Sequence, residues 1–134
     1  MRGWRKIKGF ENYRVMRCGC VVTTNVSKSD GDKKWKFIRN YYNNDFYLRV
    51  ELWKGGVRSW HFVHRLVALH FKKNPNPKKK DQVNHINYTR VDCMSYNLEW
   101  CTGSENQIHA KKRPFGINKY GEKYLQSSYE DVPF

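Results

Sequence analysis

The chain has 134 residues, of which 39% are hydrophobic and 16% aromatic, and a formal net charge of +14. This length bounds it to one domain, or a small domain with an appendage, and the apolar and aromatic content excludes a disordered chain. No apolar run approaches the roughly 20 residues that cross a bilayer, and the start, Met-Arg-Gly-Trp-Arg-Lys, lacks the apolar core of a secretory signal, so the chain reads as cytosolic.

The charge is unevenly placed. Residues 1–80 hold 20 Lys/Arg and 5 Asp/Glu, whereas residues 81–134 hold 6 and 7. A field of this kind draws polyanions by counterion release and speeds encounter. A membrane surface is also polyanionic, but the basic residues fall on strand-like segments rather than on an amphipathic helix.

In chain order, Arg14 to Arg17, Val21 to Val26 and Trp35 to Ile38 read as short strands, with a turn over Ser27-Lys28-Ser29-Asp30-Gly31-Asp32. Phe46 to Trp53 alternates clearly: Phe46, Leu48, Val50 and Leu52 share one face. Gly55-Gly56 predicts a hairpin turn, and Val57 to Val63 the returning strand. The period then changes. Val63, Leu66, Val67, His70 and Phe71 recur at helical spacing, so 63–72 reads as an amphipathic helix, with Asn74-Pro75-Asn76-Pro77 beyond its end. Val83 to Ile86 and Leu98 to Cys101 are short strands flanking a polar loop. Thr102-x-x-Glu105 fits a capping box that opens a helix to about Lys112. Trp35, Trp53 and Trp60 either enter the core or stack on nucleic acid, with at least two expected in the core, together with Trp100 and His70. From Pro114 the tail is weakly patterned, with aromatic residues at Phe115, Tyr120, Tyr124, Tyr129 and Phe134.

Four cysteines, Cys18, Cys20, Cys93 and Cys101, lack the paired C-x2-C knuckles of a zinc ribbon, so free buried thiols are the expectation. A zinc-stapled structural domain using all four is the alternative.

The stretch from Val83 to Asn106 sets His85 among Asn84, Asn97 and Asn106. A neutral imidazole takes a proton from water near pH 7. Asparagine carbonyls are hard oxygen ligands, suited to Mg²⁺ or Mn²⁺ rather than zinc. With a phosphate-seeking surface, these are the parts of metal-assisted phosphodiester hydrolysis.

Val83-Asn84-His85-Ile86, Asn97-Leu98-Glu99-Trp100, Thr102 and Ser104-Glu105-Asn106 resemble the HNH endonuclease family, in the branch of phage- and intron-encoded homing endonucleases. Upstream, His64-Arg65-Leu66-Val67-Ala68-Leu69-His70-Phe71 with Asn74-Pro75 looks like the helix and turn before that site. Trp4, Gly9-Phe10-Glu11-Asn12-Tyr13 and Tyr47-Leu48-Arg49-Val50 look like the branch's small DNA-binding module. The resemblance covers about residues 4–112. It implies an α+β chain: a small N-terminal antiparallel β module (1–62), a ββα-metal finger (63–113) and a C-terminal tail (114–134).

By position, the resemblance makes His85 the general base, Asn97 the residue that pins the loop and orients that base, and Asn84 and Asn106 the ligands of one Mg²⁺ or Mn²⁺ ion. Some members carry aspartate where this chain has Asn84, and an amide offers the cation a dipole rather than a charge. The expected partner is double-stranded DNA, with no membrane, bound by a monomer or homodimer. Phosphate or groove contacts are expected from Arg49, Arg58, His64, Arg65, Lys78, Lys79 and Lys80. His109, one turn after Asn106, faces either the site or solvent. The implied activity is hydrolysis of DNA to 5′-phosphate and 3′-hydroxyl ends, in the cytoplasm of a bacterial host if the origin is a phage or mobile element. A DNA-binding protein with a weakened or inactive site is the competing reading.

Overall fold

The computed structural model describes residues 3–114 and 116–118; the tail aromatics Phe115, Tyr120, Tyr124, Tyr129 and Phe134 lie outside them. Nine strands and two helices follow in the order β1 (Trp4–Ile7), β2 (Phe10–Met16), β3 (Val21–Thr23), β4 (Lys36–Phe37), β5 (Tyr41–Tyr42), β6 (Leu48–Lys54), β7 (Val57–Phe62), α1 (Val63–Phe71), β8 (Gln82–His85), β9 (Leu98–Cys101) and α2 (Gly103–Lys111). The strands form three antiparallel sheets, β1-β2-β3-β4, β5-β6-β7 and β8-β9. The α+β class expected from the sequence is thus the class observed.

Local chemistry explains most element boundaries. Gly55 and Gly56 both adopt positive φ (57° and 77°), as a two-residue hairpin with the right-handed strand twist requires. The strand after Tyr42 starts at Leu48 and not at Phe46. Phe46 sits in the left-handed region at φ 63°, in a turn where the Asn43 side-chain oxygen accepts from the N–H groups of Asp45 and Tyr47.

Helix α1 lies at the centre and contacts elements of all three sheets. Its stripe carries Val63, Leu66, Val67 and Ala68 into one cluster with Val15, Val21, Val50, Leu52, Val83 and Leu98. This cluster runs through both sides of the 62/63 boundary. The first two sheets are also tied by a hydrogen bond, the Trp53 N–H donating to the Tyr13 hydroxyl at 3.1 Å. His70 is half-buried, not core: its Nδ1–H donates to the Leu66 carbonyl and its Nε2 accepts from the Lys8 N–H, fastening the first hairpin to α1. Gly19 makes the tightest approach, since a Cβ there would meet the Cys93 Cβ at 3.0 Å and Val63 at 3.2 Å, at φ 92°.

The tryptophans depart from expectation. Trp35, Trp53 and Trp60 are 44%, 49% and 40% exposed. Trp53 and Trp60 share one face of β6-β7 with Glu51, which accepts the Trp53 indole N–H at 2.7 Å. Trp100 does pack on the core, and its indole N–H donates to the Lys72 carbonyl. Of the four free cysteines, Cys93 and Cys101 are buried and Cys18 is exposed. Burial pushes the Cys93 thiol up to about 12 and the Cys101 thiol to about 11. Among the described residues, no three His, Cys, Asp or Glu side chains converge into a metal-binding group.

Candidate active site

The β8-β9 hairpin and α2 form the unit that carries the site. Thr102 caps α2: its Oγ1 accepts from the Glu105 N–H at 3.1 Å, and Glu105 Oε1 accepts from the Thr102 N–H at 2.9 Å. That backbone bond and nearby Lys80 hold the Glu105 carboxyl below its usual range. No residue of α2 is buried, so polar tethers rather than a hydrophobic face seat it on the hairpin. Asn106 Nδ2 donates to Gln82 Oε1 at 2.9 Å, His109 Nε2–H donates to the Ile86 carbonyl at 3.1 Å, and the Tyr88 hydroxyl donates to the His109 carbonyl at 2.8 Å. The Tyr88 and His109 rings stack with centroids 4.0 Å apart. Tyr88 holds this pose at φ 67°, a strained backbone for a bulky residue.

Between hairpin and helix lies a cleft of about 210 Å³ lined by Tyr47, Val83, Asn84, His85, Tyr88, Arg90, Asn106, His109, Ala110 and Arg113. Three residues expected at the site, Asn84, His85 and Asn106, therefore meet in one place. Both asparagines have an amide N–H engaged outside the cleft's chemistry. Asn84 Nδ2 donates to Glu99 Oε1 at 2.9 Å, and Asn106 Nδ2 to Gln82. Their carbonyl oxygens remain as the acceptor atoms. The lining includes two arginines and no carboxylate, so the cleft is electrostatically suited to an anion.

Asn97 does not line the cleft. It is buried behind it, where its Nδ2 donates to the Asp92 carbonyl and its Oδ1 accepts from the Asn87 N–H, each at 2.9 Å. Its own carbonyl accepts from the Ile86 N–H at 2.8 Å. The loop leaving His85 is thus pinned at three points by one residue.

His85 is 6% exposed, and its Nε2 has no hydrogen-bond partner within the protein. Burial first, and then the Arg90 charge, lower its pKa to about 4, with Asp92 opposing. His64 is lowered further, to about 3, by burial and then by His85 and Arg65. Both imidazoles are neutral at pH 7. Folded values below the unfolded value of about 6.5 mean that the unfolded chain binds more protons in the interval, so stability rises with pH there. The contribution is complete above about pH 6.5 and is lost as pH falls toward 4 and then 3. The thermal midpoint is expected to drop steeply between pH 6.5 and 4, and less steeply in His64→Leu; parallel curves for the two proteins would refute the assignment.

The remaining predicted contacts lie elsewhere. Arg49 and Arg58 share the outer face of β6-β7, where Arg49 covers the Trp60 ring at 4.8 Å and Arg58 lies 3.9 Å from Glu51. Arg65 is exposed and donates to the Asp81 carbonyl at 3.0 Å. Lys78 and Lys79 are exposed on a turn, and Lys80 reaches Glu105 at 3.7 Å. None of these lines the cleft. His64 differs from its expected place: it is 8% exposed and turned inward against His85 rather than offered to phosphate. The reason is helical phase, since position 64 shares the buried side of α1 with Val67 and Ala68. Sequence reading overlooked Tyr88, Arg90 and Arg113 and placed Tyr47 only in the DNA-binding module; the fold brings all four to the cleft. His109 faces the site.

No family model matches the chain. It is 39% identical over 110 residues to an uncharacterized HNH endonuclease of Acanthamoeba polyphaga mimivirus, covering 80% of this chain and 25% of that protein. A second mimivirus HNH endonuclease, also uncharacterized, is 32% identical over 98 residues, 73% of this chain and 27% of that one. The DNA endonuclease I-HmuI of Bacillus phage SP01 is 33% identical over 109 residues, 78% of this chain and 57% of the relative. A solved structure of I-HmuI, described as DNA binding and cleavage by an HNH homing endonuclease, superposes with a TM-score of 0.68 at 33% identity, over 83% of this chain and 58% of the other. The chain thus spans between a quarter and three fifths of the length of these relatives. With the strand, loop, strand and helix in order and His85, Asn84 and Asn106 gathered at one cleft, the chain is a homologue of HNH endonucleases, the phage homing endonuclease I-HmuI among them.

Proposed function

We propose that this chain is a divalent-metal-dependent DNA endonuclease with one Mg²⁺ or Mn²⁺ ion per site. The observation that carries the reading is the meeting of a buried, neutral His85 with the carbonyl ends of Asn84 and Asn106 in a cleft walled by Arg90 and Arg113. His85, which lines the cleft, takes the proton of the attacking water. Asn84 and Asn106 are the residues that would hold the cation, and all-oxygen amide donors suit a hard ion. A bound cation there supplies neutralisation of charge on the phosphate and the leaving oxygen. Asn97 keeps the loop behind the base rigid. Arg90 and Arg113 draw the phosphate into the cleft. The products are a 5′-phosphate and a 3′-hydroxyl, and a monomer with one site nicks a single strand. Arg49, Arg58, Arg65, Lys78, Lys79 and Lys80 hold the duplex by its phosphates. A domain division at 62/63, with DNA binding in the first part and the nuclease in the second, fits this assignment. So does a cytoplasmic location, and no helix among the described residues is long and apolar enough to cross a membrane.

One observation favours a second reading, a DNA-binding protein with a weakened site: the expected ligands are two neutral amides, and no carboxylate lines the cleft. The two readings separate on supercoiled plasmid incubated with Mg²⁺ or Mn²⁺ beside an EDTA control. Open-circle product that appears with metal and disappears with EDTA supports the nuclease. DNA retention without cleavage in either metal supports the binding protein. In that case Asn84→Asp, which replaces a dipole by a charge, is expected to bring cleavage back.

A further inference from the structure

A general base works only if its ring is aimed, and enzymes usually aim an imidazole with a hydrogen bond. Among the described residues the His85 ring makes no such bond. Its surroundings are aromatic instead. The His64 ring lies 4.9 Å from it, the Tyr47 ring 5.9 Å from it, and the His64 and Tyr47 rings are 5.3 Å apart, so the three close a triangle. Each of the two outer rings is held from behind. Phe62 packs on His64 at 5.4 Å. The Arg90 guanidinium sits 4.5 Å over Tyr47 while its Nη1 donates to the Asp45 carbonyl.

His64 is an odd choice for a mere filler. It is 8% exposed, and its Nδ1 is buried with no partner in the protein. An unpaired polar atom in a core is a penalty that a leucine of similar volume would avoid. The only other histidine nitrogen left in that state among the described residues is Nε2 of His85. The two orphaned nitrogens sit on rings in contact.

We infer that His64 is a positioning residue for His85, forming with Tyr47 the aromatic wall that fixes the plane of the base. The inference rests on the nuclease reading above. It joins two parts of the molecule: Tyr47 follows directly on the turn that opens β6, so the sheet bearing Arg49 and Arg58 and the base share one wall. A ring of His85 that loses this wall keeps its identity and its backbone but not its aim.

The test uses the full chain and compares wild type with His64→Leu, Tyr47→Ala and Tyr47→Phe, with His85→Ala as the reference for a missing base. Plasmid cleavage with Mg²⁺ or Mn²⁺ gives kcat and KM; DNA affinity in EDTA and the thermal midpoint are measured on the same proteins. His64→Leu is expected to lower kcat by about tenfold to a hundredfold, with KM and DNA affinity within about twofold. Its thermal midpoint is expected to hold or rise, because an orphaned nitrogen is removed. Tyr47→Ala should lower kcat similarly, and Tyr47→Phe, which keeps the ring, should restore it. A His64→Leu protein with kcat within about twofold of wild type overturns the inference, as does a loss that appears in KM and DNA affinity alone. A kcat loss matched by a fallen thermal midpoint marks His64 as a core residue only, which also overturns it. Wild type that binds DNA but cuts nothing overturns the nuclease reading and this role with it; cleavage that needs His85 but ignores His64 overturns this role alone.

Discussion

Replacing His85 with alanine is expected to lower metal-dependent plasmid cleavage by about 10²–10⁴-fold while leaving DNA affinity near that of wild type. The separation follows from where the residues sit. His85 is 6% exposed at the floor of the cleft, whereas Arg49, Arg58, Arg65, Lys78 and Lys79 lie on other surfaces. The side chain is also not a structural anchor in the sense of hydrogen bonding, since its Nε2 has no partner to lose. Alanine removes ring packing against Tyr47 and His64, so some stability is lost, but the loop geometry survives through the bonds of Asn97. Cleavage and DNA binding should be measured on one preparation. Equal losses in both would place His85 in binding; undiminished cleavage would remove it from catalysis altogether.

The largest effect on stability is expected from Leu98→Ala, about 2–5 kcal/mol in unfolding free energy. Leu98 is fully buried and stands across the β8-β9 ladder from His85, in the cluster shared with α1 and the first two sheets. A cavity there cannot be filled by α2, which buries no residue of its own. Against a total of about 5–15 kcal/mol for a domain, the loss leaves the site close to unfolding. Leu69→Ala on the solvent side of α1, at 59% exposure, is the comparison and is expected to change stability by no more than about 0.5 kcal/mol. Urea unfolding of both, with the slope held as a check on two-state behaviour, reads the difference. Equal midpoints for the two variants would mean that the hairpin carrying the site is not part of the common core.

Local chemistry determined much of this protein. Alternation from Leu48 to Leu52, two glycines at 55 and 56, and the Thr102–Glu105 box each act over a few residues, so their structural outcome could be read directly. The order of strand, loop, strand and helix around Asn84, His85, Asn97 and Asn106 was legible for the same reason. So was the cationic first half, which is a sum and needs no geometry. The tertiary structure decided the rest. Whether Trp53 and Trp60 are covered depends on how the other elements pack around β6-β7, and both remain partly exposed. Which way His64 points depends on the phase of α1 against the sheets, and a histidine at a helix start reads the same whether it faces phosphate or core. The wall of Tyr47 and His64 beside His85, with Arg90 and Arg113 nearby, joins residues from four separate stretches of chain. Such contacts have no sequence period, because they are set by how elements pack and not by how neighbours along the backbone interact.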